Sequence, residues 1–234
     1  MSGILYIISA PSGSGKSTLV NELRTIVRDL DFSISYTTRP PRGSEQNGRE
    51  YYFVTREEFE EMIRRNEFLE YAEVFGNYYG TASRFLKEAQ GRGKDLLLDI
   101  DVQGARQVCK KIPDAVSIFV MPPDKPTLES RLKKRSQAEN VNPEVIRRRL
   151  ETATKEIENY QNYGYILVND RLEQAVDELR AIVLSERIKR AGAPFPLGAS
   201  DLFTIAERCL QANAQQRIKP VLSSFGQQVS GSVQ

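Results

Sequence analysis

Histidine and tryptophan are missing from the 234-residue chain, and cysteine occurs only twice. Without histidine there is no Ser-His triad and no imidazole acid–base pair. Phosphoryl transfer tolerates that absence, because its catalysis is mostly positioning and charge stabilisation. The two cysteines, Cys109 and Cys209, stand in unrelated contexts with no paired spacing. They read as free thiols in a reducing compartment, and no metal site is expected of them. No apolar run approaches the ~18 residues of a membrane span. The first apolar run is too short for a signal peptide and has neither a basic leader nor a cleavage site. These readings place the protein in the cytoplasm and away from membranes. Net charge is also nearly missing, with 33 basic against 31 acidic residues. The composition therefore encodes no general attraction to nucleic acid or to a lipid surface. Hydrophobic residues make up 40% and charged residues 27%, as in an ordinary globular protein. The length suits one main core with insertions, or two small domains.

What is present begins with the apolar run Ile4-Leu5-Tyr6-Ile7-Ile8, followed directly by Ala10-Pro11-Ser12-Gly13-Ser14-Gly15-Lys16-Ser17-Thr18. The helical pattern Leu19, Val20, Leu23, Ile26, Val27 comes next. Strand, Gly-containing turn and helix start form a phosphate loop. Backbone N–H groups of such a turn converge on an anion, and the helix adds its positive end. Lys16 can reach β- and γ-phosphates, and the Ser17 hydroxyl can serve Mg²⁺. Ala10 stands where the general G-x-x-x-x-G-K-[ST] pattern has its first glycine. The chain is expected to bind a nucleoside triphosphate.

Four further strands are predicted at Phe32–Tyr36, Asp95–Ile100, Val116–Met121 and Tyr165–Val168. Most are continuous apolar runs, as in parallel strands buried on both faces. Helical spacing is predicted over Leu19–Leu30, Gln103–Lys111, Lys125–Lys134, Val145–Tyr160 and Leu172–Arg190. The alternation points to an α/β, doubly wound five-stranded parallel sheet with ligands outside the carboxyl ends of its strands. Its core would comprise 1–32, 91–130 and 150–190. Residues 33–90 read as a small inserted α+β lobe, and 131–149 as a helical lid around the polar loop Ser136–Pro143. The extension 191–234 begins with a linker-like stretch, carries one amphipathic helix over Asp201–Gln211, and is expected to be disordered over Ser223–Gln234. That helix would pack on the core or serve an oligomer contact.

Three groups outside the phosphate loop suit phosphate or metal. Arg39 and Arg42 leave a strand end close together, with Tyr51 nearby. Paired guanidinium forks and a phenol suit a phosphate monoester, although a solvated arginine pair fits the spacing equally well. Asp99 ends the run Leu96-Leu97-Leu98, where phosphate-loop proteins keep a metal-organising acid; a helix cap is the alternative role. Arg131 and Arg135 share a helix face. Arg147, Arg148 and Arg149 fan around theirs.

Several stretches resemble guanylate kinase of the bacterial type, a phosphate-loop nucleoside monophosphate kinase. They are Ser9–Thr18, Ser35–Arg42 (SYTTRPPR), Asn47–Phe53 (NGREYYF), Glu67–Ala72 (EFLEYA), Phe75–Thr81 (FGNYYGT), Leu96–Gly104 (LLLDIDVQG) and Ile166–Asp170 (ILVND). They cover most of 4–190; the tail after Arg190 lies outside them. The resemblance implies ATP-dependent phosphorylation of GMP, and of dGMP, with Mg²⁺ as cofactor. ATP and GMP would be the partners, nucleic acid would not, and homo-oligomerisation stays open. The inserted lobe becomes the GMP-binding lobe. Arg39, Arg42, Tyr51 and Tyr79 would hold the GMP phosphate. Glu70 and Asp101 would accept from guanine N1–H and the 2-amino group, with Ser35 and Thr81 addressing O6 and N7. Lys16, Arg135 and Arg149 would act on the moving phosphoryl group, with Arg131 a weaker candidate. Ala10–Thr18 and Asn169 would bind ATP, and Ser17 and Asp99 would hold the metal, Asp99 through water. The Arg135–Ile146 stretch is longer than the family's and lacks its customary Gly and Asp in Ser136–Glu139. Guanylate-kinase-like domains also serve as non-catalytic interaction modules, which is the alternative function; a kinase for another nucleoside monophosphate is a second.

Overall fold

The computed structural model describes residues 3–138, 143–192 and 199–227, with side chains left aside at 135–138 and 143. In chain order the elements are β1 (Leu5–Ser9), α1 (Lys16–Ile26), β2 (Leu30–Phe32), β3 (Tyr36–Thr37), β4 (Tyr52–Phe53), α2 (Arg56–Arg64), β5 (Phe68–Val74), β6 (Asn77–Ala82) and α3 (Ser83–Gly91). Then come β7 (Asp95–Asp99), α4 (Val102–Lys111), β8 (Val116–Met121), α5 (Lys125–Ala138), α6 (Pro143–Ile157), a 3₁₀ turn (Glu158–Asn162), β9 (Tyr165–Val168), α7 (Leu172–Ala191), α8 (Ser200–Cys209) and α9 (Gln215–Ser224). A five-stranded sheet has the order β2-β7-β1-β8-β9, with parallel pairings, and a four-stranded sheet the order β4-β3-β6-β5. The fold is thus α/β, as expected. Every residue of β1 and of β8 is buried, which is why these strands read as near-continuous apolar runs, with only Ser9 and Ser117 polar, rather than alternations.

The chain divides into two compact units, Met1–Ile8 with Asp29–Ser117, and Ser9–Arg28 with Ile118–Gln234. In the first unit the small sheet packs one face on α2. That helix starts at a capping box, in which Thr55 accepts from the Glu58 N–H and Glu58 accepts from the Thr55 N–H. Its buried Phe59 stacks on Phe68 at 4.4 Å and on Tyr78 at 5.1 Å between ring centres. Such ring pairs contribute about 0.5–1.5 kcal/mol each beyond their area.

In the second unit the tail packs on the core. Leu210 forms an antiparallel bridge with Tyr165, and the Gln211 N–H donates to the Gly164 carbonyl at 2.9 Å, covering part of the β9 edge. Ala206 and Cys209 of α8 and Ile218, Val221 and Leu222 of α9 are buried. The Ser224 hydroxyl accepts from the Lys125 N–H at 3.0 Å, at the start of α5. Gln227 donates to the Thr154 carbonyl on α6 at 2.9 Å.

Four sequence expectations shift. The predicted strand Phe32–Tyr36 is two strands in two sheets. β2 pairs with β7, its ladder extended by the Ser33 N–H on Leu97 O, whereas Ser35 O accepts from the Tyr52 N–H in the small sheet. Continuous β-propensity hid the change of partner. α1 starts three residues before Leu19 and ends at Ile26, because Val27 is extended and Leu30 belongs to β2. The helix predicted from Val145 to Tyr160 begins at Pro143, where the missing N–H is harmless, and tightens into the 3₁₀ turn after Ile157. The tail holds a second helix, α9, which the sequence reading missed. Pro220 lies inside it and most of its residues are polar. The segment expected to lack structure from Ser223 therefore begins inside α9, and residues 228–234 lie outside the described residues, as do 139–142 of the lid loop and 193–198 of the linker-like stretch.

Candidate active site

The phosphate loop belongs to the second unit. Gly13 has φ 90° and Gly15 φ 87°, left-handed conformations that an L side chain resists. A Cβ on Gly15 would also lie 2.3 Å from the Asn169 amide nitrogen. The loop closes through the Ser14 N–H on the Pro11 carbonyl at 3.1 Å. The Ser14 carbonyl accepts from Asn169 Nδ2 at 2.8 Å, and Arg131 reaches the same oxygen at 3.5 Å and the Asn169 carbonyl at 3.2 Å. The loop's shape is thereby held from its carbonyl side. Gly15 is the N-cap of α1, and no side chain among the described residues caps it, so its first N–H groups suit an anion. Lys16 is half-buried at the first helical position, Ser17 and Thr18 are exposed, and Ala10, Pro11 and Ser14 are buried. Ser12 is half-buried. Arg149 lies on α6 with 8% exposure. Arg135 lies on α5, and its side chain is outside the described residues.

The first unit gathers Ser35, Arg39, Arg42, Tyr51, Glu70, Tyr79, Thr81, Asp99 and Asp101. Arg39 is buried and ion-paired with Glu45 at 3.0 Å; it also donates to the Pro40 carbonyl at 2.7 Å. Burial works against its charge, yet Glu45 and Tyr79 together raise its pKa above the usual guanidinium value. Glu45 takes the Arg42 N–H at 2.8 Å as well, so one carboxylate orders the whole arginine loop. Sequence reading missed Glu45, whose only signal is a lone acid three residues after Arg42. Tyr51 lies under the Arg39 guanidinium at 5.4 Å and meets Tyr79 edge to face at 5.9 Å. Burial, and then the Asp99 charge, pushes the Tyr51 hydroxyl up to about 12. It stays protonated and can donate to a phosphate.

Glu70 owes its orientation to a bulge. On β6, Tyr79 and Thr81 point to one face, and Tyr78 and Gly80 to the Phe59 side. Phe68 pairs with Ala82 and Glu70 with Thr81, so β5 advances two residues while β6 advances one. The extra residue turns Glu70 off the Phe59 side and onto the Tyr79–Thr81 face. Glu70 is 3% exposed. Burial raises its carboxyl from 4.5 to about 7; Thr81 pulls it back, the Asp101 charge raises it, and Lys111 lowers it slightly. Asp101 caps α4, accepting from the Gly104 N–H at 2.8 Å, so the cap that was the alternative role for Asp99 is filled by Asp101. Buried Ser35 precedes β3, and half-buried Asp99 ends β7. The unit thus holds a cation and two phenols, groups suited to a phosphate, and a sheet face whose carboxylate, Glu70, lies near that of Asp101, a pair suited to hydrogen-bond donors.

The family model described as "Guanylate kinase" matches residues 2–186. A guanylate kinase of Koribacter versatilis is 60% identical over 225 residues, covering 96% of this chain and 97% of its own, and so takes in most of the tail. Those of Nitrosospira multiformis and Escherichia coli are 49% and 46% identical, covering 81% and 80% of this chain and 89% and 90% of their own. The crystal structure of guanylate kinase from Anaplasma phagocytophilum superposes with a TM-score of 0.67 at 34% identity, covering 80% of this chain and 87% of that one.

Proposed function

The chain belongs to the guanylate kinase family, and on that premise we propose that it transfers the γ-phosphoryl group of ATP to GMP, giving ADP and GDP. The observation that carries this reading is the face of the small sheet, where Glu70 and Thr81 stand opposite each other and Tyr79 lies beside the Arg39–Tyr51 pair. Guanine presents donors at N1 and N2 where adenine has none, and a buried carboxylate left unpaired by the wrong base costs about 1–3 kcal/mol or more.

Arg39, Arg42, Tyr51 and Tyr79 hold the GMP phosphate in this reading, and Glu70 and Asp101 read the base, with Ser35 and Thr81 on its other polar edge. Ala10–Thr18 wrap the ATP phosphates, with Asn169 supporting the loop. The GMP phosphate oxygen attacks in line, and Lys16, Arg135 and Arg149 stabilise the charge on the transferring group. The Ser17 hydroxyl and the Asp99 carboxylate are the hard oxygen donors that Mg²⁺ prefers, and few protein ligands suffice because the ion retains water. When bound, Mg²⁺ would neutralise charge on the triphosphate oxygens.

No helix among the described residues is long and apolar enough to cross a membrane. A cytoplasmic location accords with free thiols at Cys109 and Cys209. The non-catalytic alternative is not favoured, since the relatives matching most of the chain are named as kinases. A coupled ADP assay with GMP, dGMP, AMP and UMP tests the proposal: GMP and dGMP support turnover, and equal use of AMP refutes it.

A further inference from the structure

β5 is the outer strand of the small sheet, so its outward N–H and C=O groups have no neighbouring strand. Side chains of α4 take that strand's place. The Gln107 amide donates to the Tyr71 carbonyl at 2.7 Å and accepts the Tyr71 N–H at 3.3 Å, copying the two-bond pairing of an antiparallel neighbour. Lys111 Nζ donates to the carbonyl of Leu69, the extra residue of the bulge, at 2.5 Å. Glu70 lies between these two anchors.

The third member of the same helix face is Gly104. A Cβ there would stand 2.3 Å from Glu70 Oε2, 2.9 Å from its carboxyl carbon and 3.4 Å from Asp101 Oδ1. The Gly104 N–H meanwhile donates to Asp101 Oδ1. One residue therefore touches both carboxylates, and only the absence of its side chain lets Glu70 come so near. Residues 104, 107 and 111 follow i, i+3, i+7 spacing, which places them on one face of a helix.

We propose that the Gly104–Gln107–Lys111 face of α4 sets the position of the Glu70 carboxylate relative to Asp101, and with it the preference for guanine over other bases. The inference rests on the reading of Glu70 and Asp101 as base acceptors given above. Gln107, Lys111 and Gly104 are positioning residues: none needs to touch the nucleotide. Two acceptors must match two donors on one edge of a planar base. A shift of the β5 backbone at residues 69–71 therefore weakens GMP binding while leaving the ATP loop, on the other unit, alone.

The test uses the full-length chain. Gln107→Met keeps length and loses both hydrogen bonds, Lys111→Arg keeps a donor, and Gly104→Ala adds the methyl group. KM for GMP, KM for ATP and the ratio of GMP to AMP turnover are measured with each, alongside a thermal melt. Gln107→Met is expected to raise KM for GMP and to lower the GMP:AMP ratio, each roughly tenfold, with KM for ATP within about twofold. Gly104→Ala should exceed it, and Lys111→Arg should stay near wild type. An unchanged KM for GMP in Gln107→Met, or an equal rise for GMP and ATP, overturns the proposal, and this variant decides the matter if Gly104→Ala fails to fold. If the wild-type chain does not phosphorylate GMP, the substrate reading falls and takes this inference with it. If it does and the variants do not move, only this inference falls.

Discussion

Arg217 on α9 donates to both carboxylate oxygens of Glu178 on α7, each at 3.0 Å, and Glu178 is only 2% exposed. Both residues lie in the second unit, and Arg217 falls beyond the stretch matched by the family model. A buried carboxylate on α7 is thus paired by a residue beyond the stretch that the family model matches. Replacing Arg217 with Met removes the ion-pair partner of buried Glu178, a change that typically costs about 3–5 kcal/mol. Chemical denaturation of Arg217→Met should show a loss of that order. Pairing it with Glu178→Leu should recover much of it, since a packed apolar pair is often as stable as a buried ion pair.

Glu70 should make stability fall as pH rises. Its folded pKa, about 7, lies above the usual 4.5. Between those values the folded chain holds a proton that the unfolded chain has released, so stability declines from pH 4.5 to 7 and levels off above. The full effect is on the order of 3 kcal/mol. Glu70→Gln removes it, so the difference in melting temperature between variant and wild type should grow in the variant's favour from pH 5 to pH 8. GMP binding runs the other way: the ionised carboxylate is the stronger acceptor for N1–H and has no competing O–H, so KM for GMP should fall as pH rises through about 7.

Arg39→Lys keeps the charge and loses the planar fork. KM for GMP should rise roughly 10- to 100-fold, with KM for ATP little changed. Equal effects on both substrates would contradict the placement of Arg39 at the monophosphate.

Gly15→Ala should abolish ATP binding at ordinary concentrations. The substitution meets a left-handed backbone and the Asn169 amide at 2.3 Å together. Isothermal titration with ATP reads this directly, and GMP binding measured in parallel should persist.

Much of this was legible in the sequence, for local reasons. The phosphate loop announces itself through glycines that only a left-handed turn explains, and β7 and β8 through near-continuous apolar runs. The fold class followed from the alternation of strand and helix. The small lobe was less legible, because β3 and β4 are two residues each and are defined by partners rather than by propensity. Glu70, beside Tyr71, reads as a surface acid until the bulge at Leu69 and the Gly104 gap bury it. Resemblance to a family named it; neither periodicity nor composition could. Glu45 escaped because a lone loop acid has no periodic signal, although its partners Arg39 and Arg42 are only six and three residues away, and Gln107 because tertiary packing brings it to Tyr71, 36 residues away.

Glu70 and Asp101, as base acceptors, would make this chain a kinase for guanine nucleotides. The measurement that tests that role most directly is the rate of ADP formation from ATP with GMP and with AMP as acceptor, in wild type and in Glu70→Gln. Wild type should prefer GMP by about 10²-fold or more, and that preference should collapse in the variant as KM for GMP rises. Comparable rates with AMP in wild type, or a preference unmoved in Glu70→Gln, would contradict it.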